Sequence, residues 1–224
     1  MKKTIPFLFI FAITQVYAVD YIHSTDIVDK VKAKFKGIET YSADFTIKTV
    51  EKKNNKTYRG KAYYKKGGNV NFTFTEPYGD IIISNGKKMW IYIKKMKTVG
   101  VQELNSPKDA GVTGTTGYEG VMSMFTRYHY SYDTPEQPRT VDGKSYYILN
   151  LKEKVSSGGF STMTVYVNAT TSLIEKLVAT NNRNKTVTLT YKNIKLNPEL
   201  PPSLFYFKVE GRIQTVNNPL TTVE

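Results

Sequence analysis

Cysteine is missing from the chain altogether. Its absence excludes a disulfide framework, thiol catalysis, thiolate metal sites and lipidation of an N-terminal cysteine. Histidine is nearly as scarce: His23 and His129 are the only two, and neither stands in a metal-ligand spacing. With so few bases, and no G-x-S-x-G arrangement, a serine nucleophile has no partner to activate it. Both histidines read as surface residues, and the pattern predicts no metal site, no cofactor and no enzyme. Long apolar runs are also lacking beyond the first residues, and the C-terminal stretch Asn217 to Glu224 carries neither an apolar tail nor a lipidation motif.

The one apolar run is at the start. Lys2 and Lys3 precede an apolar stretch from Ile5 to Ile13, and Val16-Tyr17-Ala18 forms a cleavage-site pattern. The stretch is about ten residues long, against the roughly 20 needed to cross a bilayer. Residues 1–18 are therefore predicted to be an export signal cleaved after Ala18, and residues 19–224 a single soluble domain. Roughly 200 residues bury one substantial core without covalent staples.

Acidic residues are under-represented: 19 Asp and Glu stand against 32 Lys and Arg, a formal charge of +13. The chain stays basic after loss of Lys2 and Lys3. Such a field favours anionic partners. For an exported protein these are lipid head groups or other envelope polyanions rather than nucleic acid. A lysine-rich, solvated surface with no partner reads equally well from composition.

Ser24 reads as an N-cap, and Ile27, Val31, Phe35 and Ile38 recur at helical spacing, which predicts an amphipathic helix ending at Gly37. Period-two alternation follows. Val70, Phe72 and Phe74 share one strand face; Met163, Val165 and Val167 share another, as do Val187, Leu189 and Tyr191. Asn85-Gly86 separates Ile81-Ile82-Ile83 from Met89-Trp90-Ile91-Tyr92-Ile93, and predicts a tight hairpin with positive φ at both residues. Further strands are predicted at Ser42 to Val50, Thr57 to Lys65, Thr98 to Gln102, Tyr146 to Lys152, Leu173 to Thr180 and Phe205 to Val209, giving about eleven in an antiparallel meander. From Ser106 to Tyr128 strand patterning stops. A glycine-bearing loop there leads into a short helix carrying Tyr118, Val121, Met122 and Phe125, with Met124 beside them. Two such helices are the available covers for the apolar side of a curved sheet.

Chemistry is sparse. Glu76, Asp80, Glu103 and Asp109 are carboxylates whose convergence in space would be needed for acid–base work. Gly111, Gly114, Gly117 and Gly120 match neither the dinucleotide fingerprint nor the P-loop and read as a mobile loop. Aromatics are the surplus, with 17 Tyr and 11 Phe but one Trp. On a meander, inward aromatics either fill the interior or line a ligand cavity, and alternation is consistent with both.

The order and spacing of several segments resemble the periplasmic outer-membrane lipoprotein carrier family. These are the helix from Ser24, Tyr41-Ser42-Ala43-Asp44-Phe45-Thr46, Gly60 before Lys61-Ala62-Tyr63-Tyr64, Val70-Asn71-Phe72, and Glu76-Pro77. The run from Ile81 through Asn85-Gly86-Lys87 to Met89-Trp90-Ile91-Tyr92 is the most specific part, and Phe205-Tyr206-Phe207 is similar to a late Phe-x-Phe strand. The resemblance implies an incomplete, half-open antiparallel β-barrel lidded by helices, in a monomeric periplasmic carrier. Its hydrophobic cavity would hold the acyl chains of lipoproteins, with Phe45, Val70, Phe72, Phe74, Ile82, Trp90, Tyr92, Met122 and Phe125 as lining candidates. Cargo would come from an inner-membrane, ATP-driven release complex and pass to an outer-membrane acceptor. The family's lid-latching arginine falls at Lys66, followed by Gly67 instead of proline, and Val70 stands where a bulky aromatic is frequent. Lysine offers one compact charge where arginine offers a planar fork of donors. An acceptor of this fold would need the N-terminal cysteine that is absent, and a regulator of this fold would need a further C-terminal domain. An envelope hydrolase or a polyanion-binding protein are the readings from other classes.

Overall fold

The computed structural model describes residues 22–52, 54–104, 117–156, 159–208 and 211–217; the predicted export signal, Asp109, Gly111 and Gly114 lie outside them. The first described element is helix α1, Ser24–Lys36. Ile27, Val28, Val31 and Phe35 form its buried stripe, and the i, i+4, i+8 spacing puts them on one face. The helix begins one residue earlier than the pattern predicts: His23 is the N-cap and Ser24 is the first helical residue. Asp26 decides this, since its carboxylate accepts the His23 backbone N–H at 3.0 Å and puts a negative charge at the helix start.

Six strands follow: β1 (Thr40–Glu51), β2 (Asn54–Lys65), β3 (Asn69–Glu76), β4 (Tyr78–Asn85), β5 (Lys88–Ile93) and β6 (Thr98–Glu103). Helix α2 (Tyr118–Arg127) comes next. It runs directly into β7 (Tyr128–Tyr132), followed by β8 (Arg139–Val141), β9 (Lys144–Glu153), β10 (Phe160–Asn168), β11 (Ile174–Asn181), β12 (Thr186–Leu196) and β13 (Gln214–Asn217). Among the described residues this makes thirteen strands in one sheet, ordered β13-β6-β5-β4-β3-β2-β1-β12-β11-β10-β9-β7, with β8 also on β9. The sheet does not close, as an incomplete barrel should not. β1 is its middle, paired along its whole length with β2 and along most of it with β12. Register shifts at Ser42/Asp44 and Arg59/Gly60 mark bulges, which bend strands and increase their twist.

One face of the sheet, here the inner face, lies beneath both helices. Tyr41, Phe45, Tyr64, Phe72, Leu149 and Leu189 share one buried cluster with the α1 stripe and with Val121, Met124 and Phe125 of α2. Each such side chain contributes roughly 1.5–3 kcal/mol by leaving water.

Two predicted features come out differently. The Phe205 to Val209 strand is a 3-10 turn, Pro202–Phe205, followed by irregular chain; Val209 is outside the described residues. Phe205 and Phe207 do alternate inward past the exposed Tyr206, but they pack on the outer face of β3–β5 instead of joining the ladder. The last strand is β13, which runs parallel to β6 and departs from a pure meander. His129, read from the sequence as a surface residue, is exposed, but on β7 directly after the second helix.

The Asn85-Gly86 hairpin is present, with a different turn from the one predicted. Gly86 has φ +83°, while Asn85 is not in the positive-φ region. The Asn85 side chain accepts the N–H groups of Lys87 and Lys88 at 3.0 and 2.9 Å, so a side-chain turn replaces the second left-handed residue. A Cβ on Gly86 would also sit 2.5 Å from the Gly67 carbonyl oxygen. Gly86→Ala is expected to lower the unfolding free energy by at least about 1 kcal/mol in urea titration. Lys87→Ala, at the exposed neighbouring position of the same turn, should stay within about 0.5 kcal/mol of the parent.

Candidate functional site

Cross-strand partners share a face of a sheet, so the register sorts the predicted lining residues. Ala62 pairs with Phe72, Phe72 with Ile82, and Ile82 with Ile91. This row is on the inner face. Phe45 lies 4.8 Å from Phe72 and 5.1 Å from Phe74, ring centroid to centroid, and Val70 belongs to the same cluster. Ile82 is half-buried and bridges to a second, smaller apolar group made by Met89, Ile91 and Leu104. The inner face thus carries an apolar row from the centre of the sheet out to β5, with Leu104 beside it.

Trp90 and Tyr92 are elsewhere. Trp90 pairs with Ile83 and Tyr92 with Ile81, one residue out of phase with the inner row. Both point to the outer face, where Trp90 stacks on Phe207 at 6.3 Å with an interplanar angle of 6°. Beside them the buried Asn71 amide donates to the Leu204 carbonyl at 2.6 Å and its carbonyl accepts from Thr73. The residues 204–207 therefore seal the outer face. Of the helix candidates, Phe125 is buried over the inner face and Met122 is half-buried at its margin. Met124, not singled out as a lining residue, is buried between them.

The hydrogen bonds of Lys66 go to α1 and Glu39, and the charge of Glu119 on α2 acts on it only as a lesser influence. The Lys66 ammonium donates to the Glu39 carboxylate at 2.6 Å and to the Lys36 carbonyl at 3.3 Å, tying the end of α1 to the β2–β3 turn. The hydrogen bond to Glu39 holds its pKa above the ordinary lysine value. The residue that holds α2 is Glu119, in the first turn of the helix. Its carboxylate accepts the Tyr64 hydroxyl and the Gly67 backbone N–H, both at 2.9 Å. A carboxylate there also faces the positive end of the helix dipole. Burial, followed by the neighbouring Glu119 charge, raises the Tyr64 phenol well above its usual value, so it remains a donor throughout the physiological range. Gly117, the N-cap of α2, lies directly against the Tyr64 ring: a Cβ would come within 1.9 Å of Cε2. Sequence reasoning missed Glu119 and Tyr64, since nothing in their spacing announces a contact across the 52 positions between Gly67 and Glu119.

Of the four carboxylates considered for acid–base work, Asp109 lies outside the described residues, and the other three do not all converge. Glu76 pairs with Arg59, Asp80 accepts the Lys94 N–H, and Glu103 pairs with Lys88 at the opposite end of the sheet from both. No group of three or more metal-binding side chains is found among the described residues, and no described helix is long and apolar enough to cross a membrane.

Four tyrosines, Tyr41, Tyr64, Tyr128 and Tyr146, have their phenol pKa values raised, each by burial first. In the unfolded chain phenols release their protons near pH 10. The folded state keeps them to higher pH, so folded stability is fully present below about pH 10 and falls above it. Alkaline titration of the unfolding free energy should show this decline, and Tyr64→Phe should make it shallower. The same variant should be about 1–3 kcal/mol less stable at neutral pH, because Glu119 loses a donor.

Residues 36–208 match the family described as outer membrane lipoprotein carrier protein LolA. The outer-membrane lipoprotein carrier protein of Legionella pneumophila (strain Corby) is 26% identical over 197 residues, covering 87% of this chain and 92% of the relative. The protein of the same description from Bordetella avium (strain 197N) is 23% identical over 190 residues, covering 84% and 86%. Among solved structures, an uncharacterized conserved protein from Thermus thermophilus superposes with a TM-score of 0.56 at 11% identity, covering 87% of this chain and 98% of that one, which is a likeness of fold. With most of its length matched by one family, the chain belongs to the LolA family of outer membrane lipoprotein carrier proteins.

Proposed function

We propose that the protein is a non-catalytic periplasmic carrier that takes the acyl chains of lipoproteins onto the inner face of its sheet. In this reading it ferries them from an inner-membrane release complex to an acceptor at the outer membrane. The observation that carries the reading is an apolar inner face covered by a short helix that a single carboxylate fastens. Phe45, Val70, Phe72, Phe74 and Ile82 form the floor, and Val121, Met124 and Phe125 of α2 belong to the same apolar cluster. Names of the relatives, outer-membrane lipoprotein carriers, support the same class of cargo.

The energetics suit a carrier that must also release. Lifting three buried side chains of α2 exposes surface worth roughly 5–9 kcal/mol. Each methylene of a bound acyl chain recovers about 0.8 kcal/mol, so on the order of ten methylenes offset the opening of the helix. Affinity is thereby a difference between two burials. Met122 and Met124 assist, being unbranched side chains that repack against a floor of changing shape.

Binding of the purified protein to one lipoprotein, with its acyl chains and after their removal, is the direct test. Binding of the acylated form alone supports the carrier; equal binding of both forms, or of neither, would sink acyl-chain recognition. The clamp makes a second, separable prediction. Glu119→Ala should speed amide hydrogen exchange in α2 and raise affinity for acylated cargo by roughly tenfold or more, because opening no longer breaks two charge-assisted hydrogen bonds. Lys66→Ala, whose contacts are to α1 and Glu39, should leave α2 exchange unchanged.

A further inference from the structure

Seven large apolar side chains are exposed among the described residues; Tyr206 and Val216 stand apart, and the other five gather. Val50, Tyr78, Ile93, Met96 and Val155 are all exposed, and the strand order puts all five at one end of the sheet, where the β1–β2, β3–β4, β5–β6 and β9–β10 turns lie. Tyr78 is 77% exposed and Met96 65%. Both belong to one projecting tip, because Ile81 pairs with Tyr92 and brings the start of β4 beside the end of β5. The tip is basic as well: Ile93-Lys94-Lys95-Met96-Lys97 is exposed without a break, and the Lys94 ammonium lies 4.2 Å from the centre of the Tyr78 ring.

This turn is built, not frayed. Asp80 accepts the Lys94 N–H at 2.9 Å, Lys97 N–H closes on the Lys94 carbonyl at 3.0 Å, the Thr98 hydroxyl donates to the Met96 carbonyl at 3.0 Å, and Gln214 N–H donates to the Lys97 carbonyl at 2.9 Å. These bonds fix the backbone on both sides of Met96, whose side chain is exposed. The acidic side chains near this end are engaged: Glu76 with Arg59, Glu51 with Lys185, and Glu153 with Arg127. Asp80 is the carboxylate within the turn itself, bonded to the Lys94 N–H, so Lys94, Lys95 and Lys97 leave the tip with an excess of positive charge.

We propose that this end of the sheet, led by Tyr78 and the Ile93 to Lys97 turn, docks the protein on the surface of an anionic phospholipid bilayer. Apolar tips enter the boundary between head groups and acyl chains while the lysine ammoniums remain at the level of the phosphates. A bilayer is favoured over an acidic protein because one turn offers far less than the roughly 800 Å² that each partner of a stable protein interface buries. Docking is weak and reversible, through a few lysines and two or three apolar side chains. It stands apart from the acyl-chain reading, and no lipoprotein enters its test.

Co-sedimentation of the full chain with phosphatidylcholine vesicles, and with vesicles that also contain phosphatidylglycerol, measures the docking. Binding is expected to the anionic vesicles only and to fall with salt. Each lysine near an anionic surface accounts for about a fivefold change in partitioning. The triple change Lys94→Gln, Lys95→Gln, Lys97→Gln should thus reduce binding on the order of a hundredfold. The same change at Lys65, Lys87 and Lys195, exposed at the opposite end, should leave most of it. Since the chain has no cysteine, Met96→Cys carries a single environment-sensitive dye whose emission should shift to the blue on anionic vesicles, whereas a dye at Lys195→Cys should not respond. Absence of vesicle binding, equal loss in both triple variants, or equal response of the two dyes overturns the proposal. So does binding to an acidic protein without binding to lipid.

Discussion

An open sheet with one apolar face must have that face covered, and here the cover is held by few contacts. The inner face runs from Tyr41 and Phe45 across Phe72 to Ile82 and Ile91, and water would meet all of it without α1 and α2. Helix α1 is fastened at both ends: the Tyr132 hydroxyl donates to the Ile22 carbonyl, and Lys66 bonds to the Lys36 carbonyl and to Glu39. Helix α2 has a different footing. Its N-terminus rests on the ring of Tyr64 through Gly117 and is pinned by the Glu119 carboxylate, while its C-terminus continues straight into β7. This places the weakest point of the cover at the start of α2, beside Tyr64 and the β2–β3 turn.

The two faces of the sheet solve the same problem in different ways. On the outer face Phe205 and Phe207 come from the chain after β12 and seat themselves against β3–β5, with Asn71 satisfied by the Leu204 carbonyl. That cover is a single pass of chain, continued into β13 on the edge strand β6. On the inner face the cover is an amphipathic helix, whose own backbone hydrogen bonds are satisfied within itself and survive its displacement. A helix can leave an apolar surface without exposing unpaired backbone groups; a ladder strand cannot. This difference suits the inner face, and not the outer one, to exchange its cover for a ligand.

The hydrogen bonds at the start of α2 come from Glu119 on the helix, while those of Lys66, the position the family resemblance points to, go to Glu39 and the end of α1. A cation at Lys66 would reach from the sheet to the helix; instead a carboxylate at Glu119 reaches from the helix to the β2–β3 turn. Gly67, where the resemblance leads one to expect proline, supplies the N–H that Glu119 uses, and proline has no such donor. The two departures noted in the sequence, lysine and then glycine, are therefore parts of one rearranged contact, in which Lys66 holds α1 instead.

Local rules determined much of this molecule from the sequence by itself. The α1 stripe at Ile27, Val31 and Phe35, the alternation in β3, β10 and β12 and the Asn85-Gly86 hairpin follow from periods of 3.6 and 2 and from the chemistry of turns, while the half-open form of the sheet came from the family resemblance. The shared face of Val70, Phe72 and Phe74 also follows from local period, since these residues keep phase within one strand. Phase between strands was not legible: Trp90 and Tyr92 alternate as well as Phe72 and Phe74 do, and only the register of β4 on β5 puts them on the outer face. A shift of one residue in pairing exchanges the two faces, and nothing local to β5 specifies which it is. The Phe-x-Phe segment likewise alternates without being a strand, because its partner is a surface and not a ladder. Tertiary structure alone decided the Glu119 clamp, which joins groups remote in the chain, and the gathering of Tyr78, Met96 and their lysines at one end of the sheet, since proximity between distant turns is a property of the folded topology and leaves no periodic trace in the sequence.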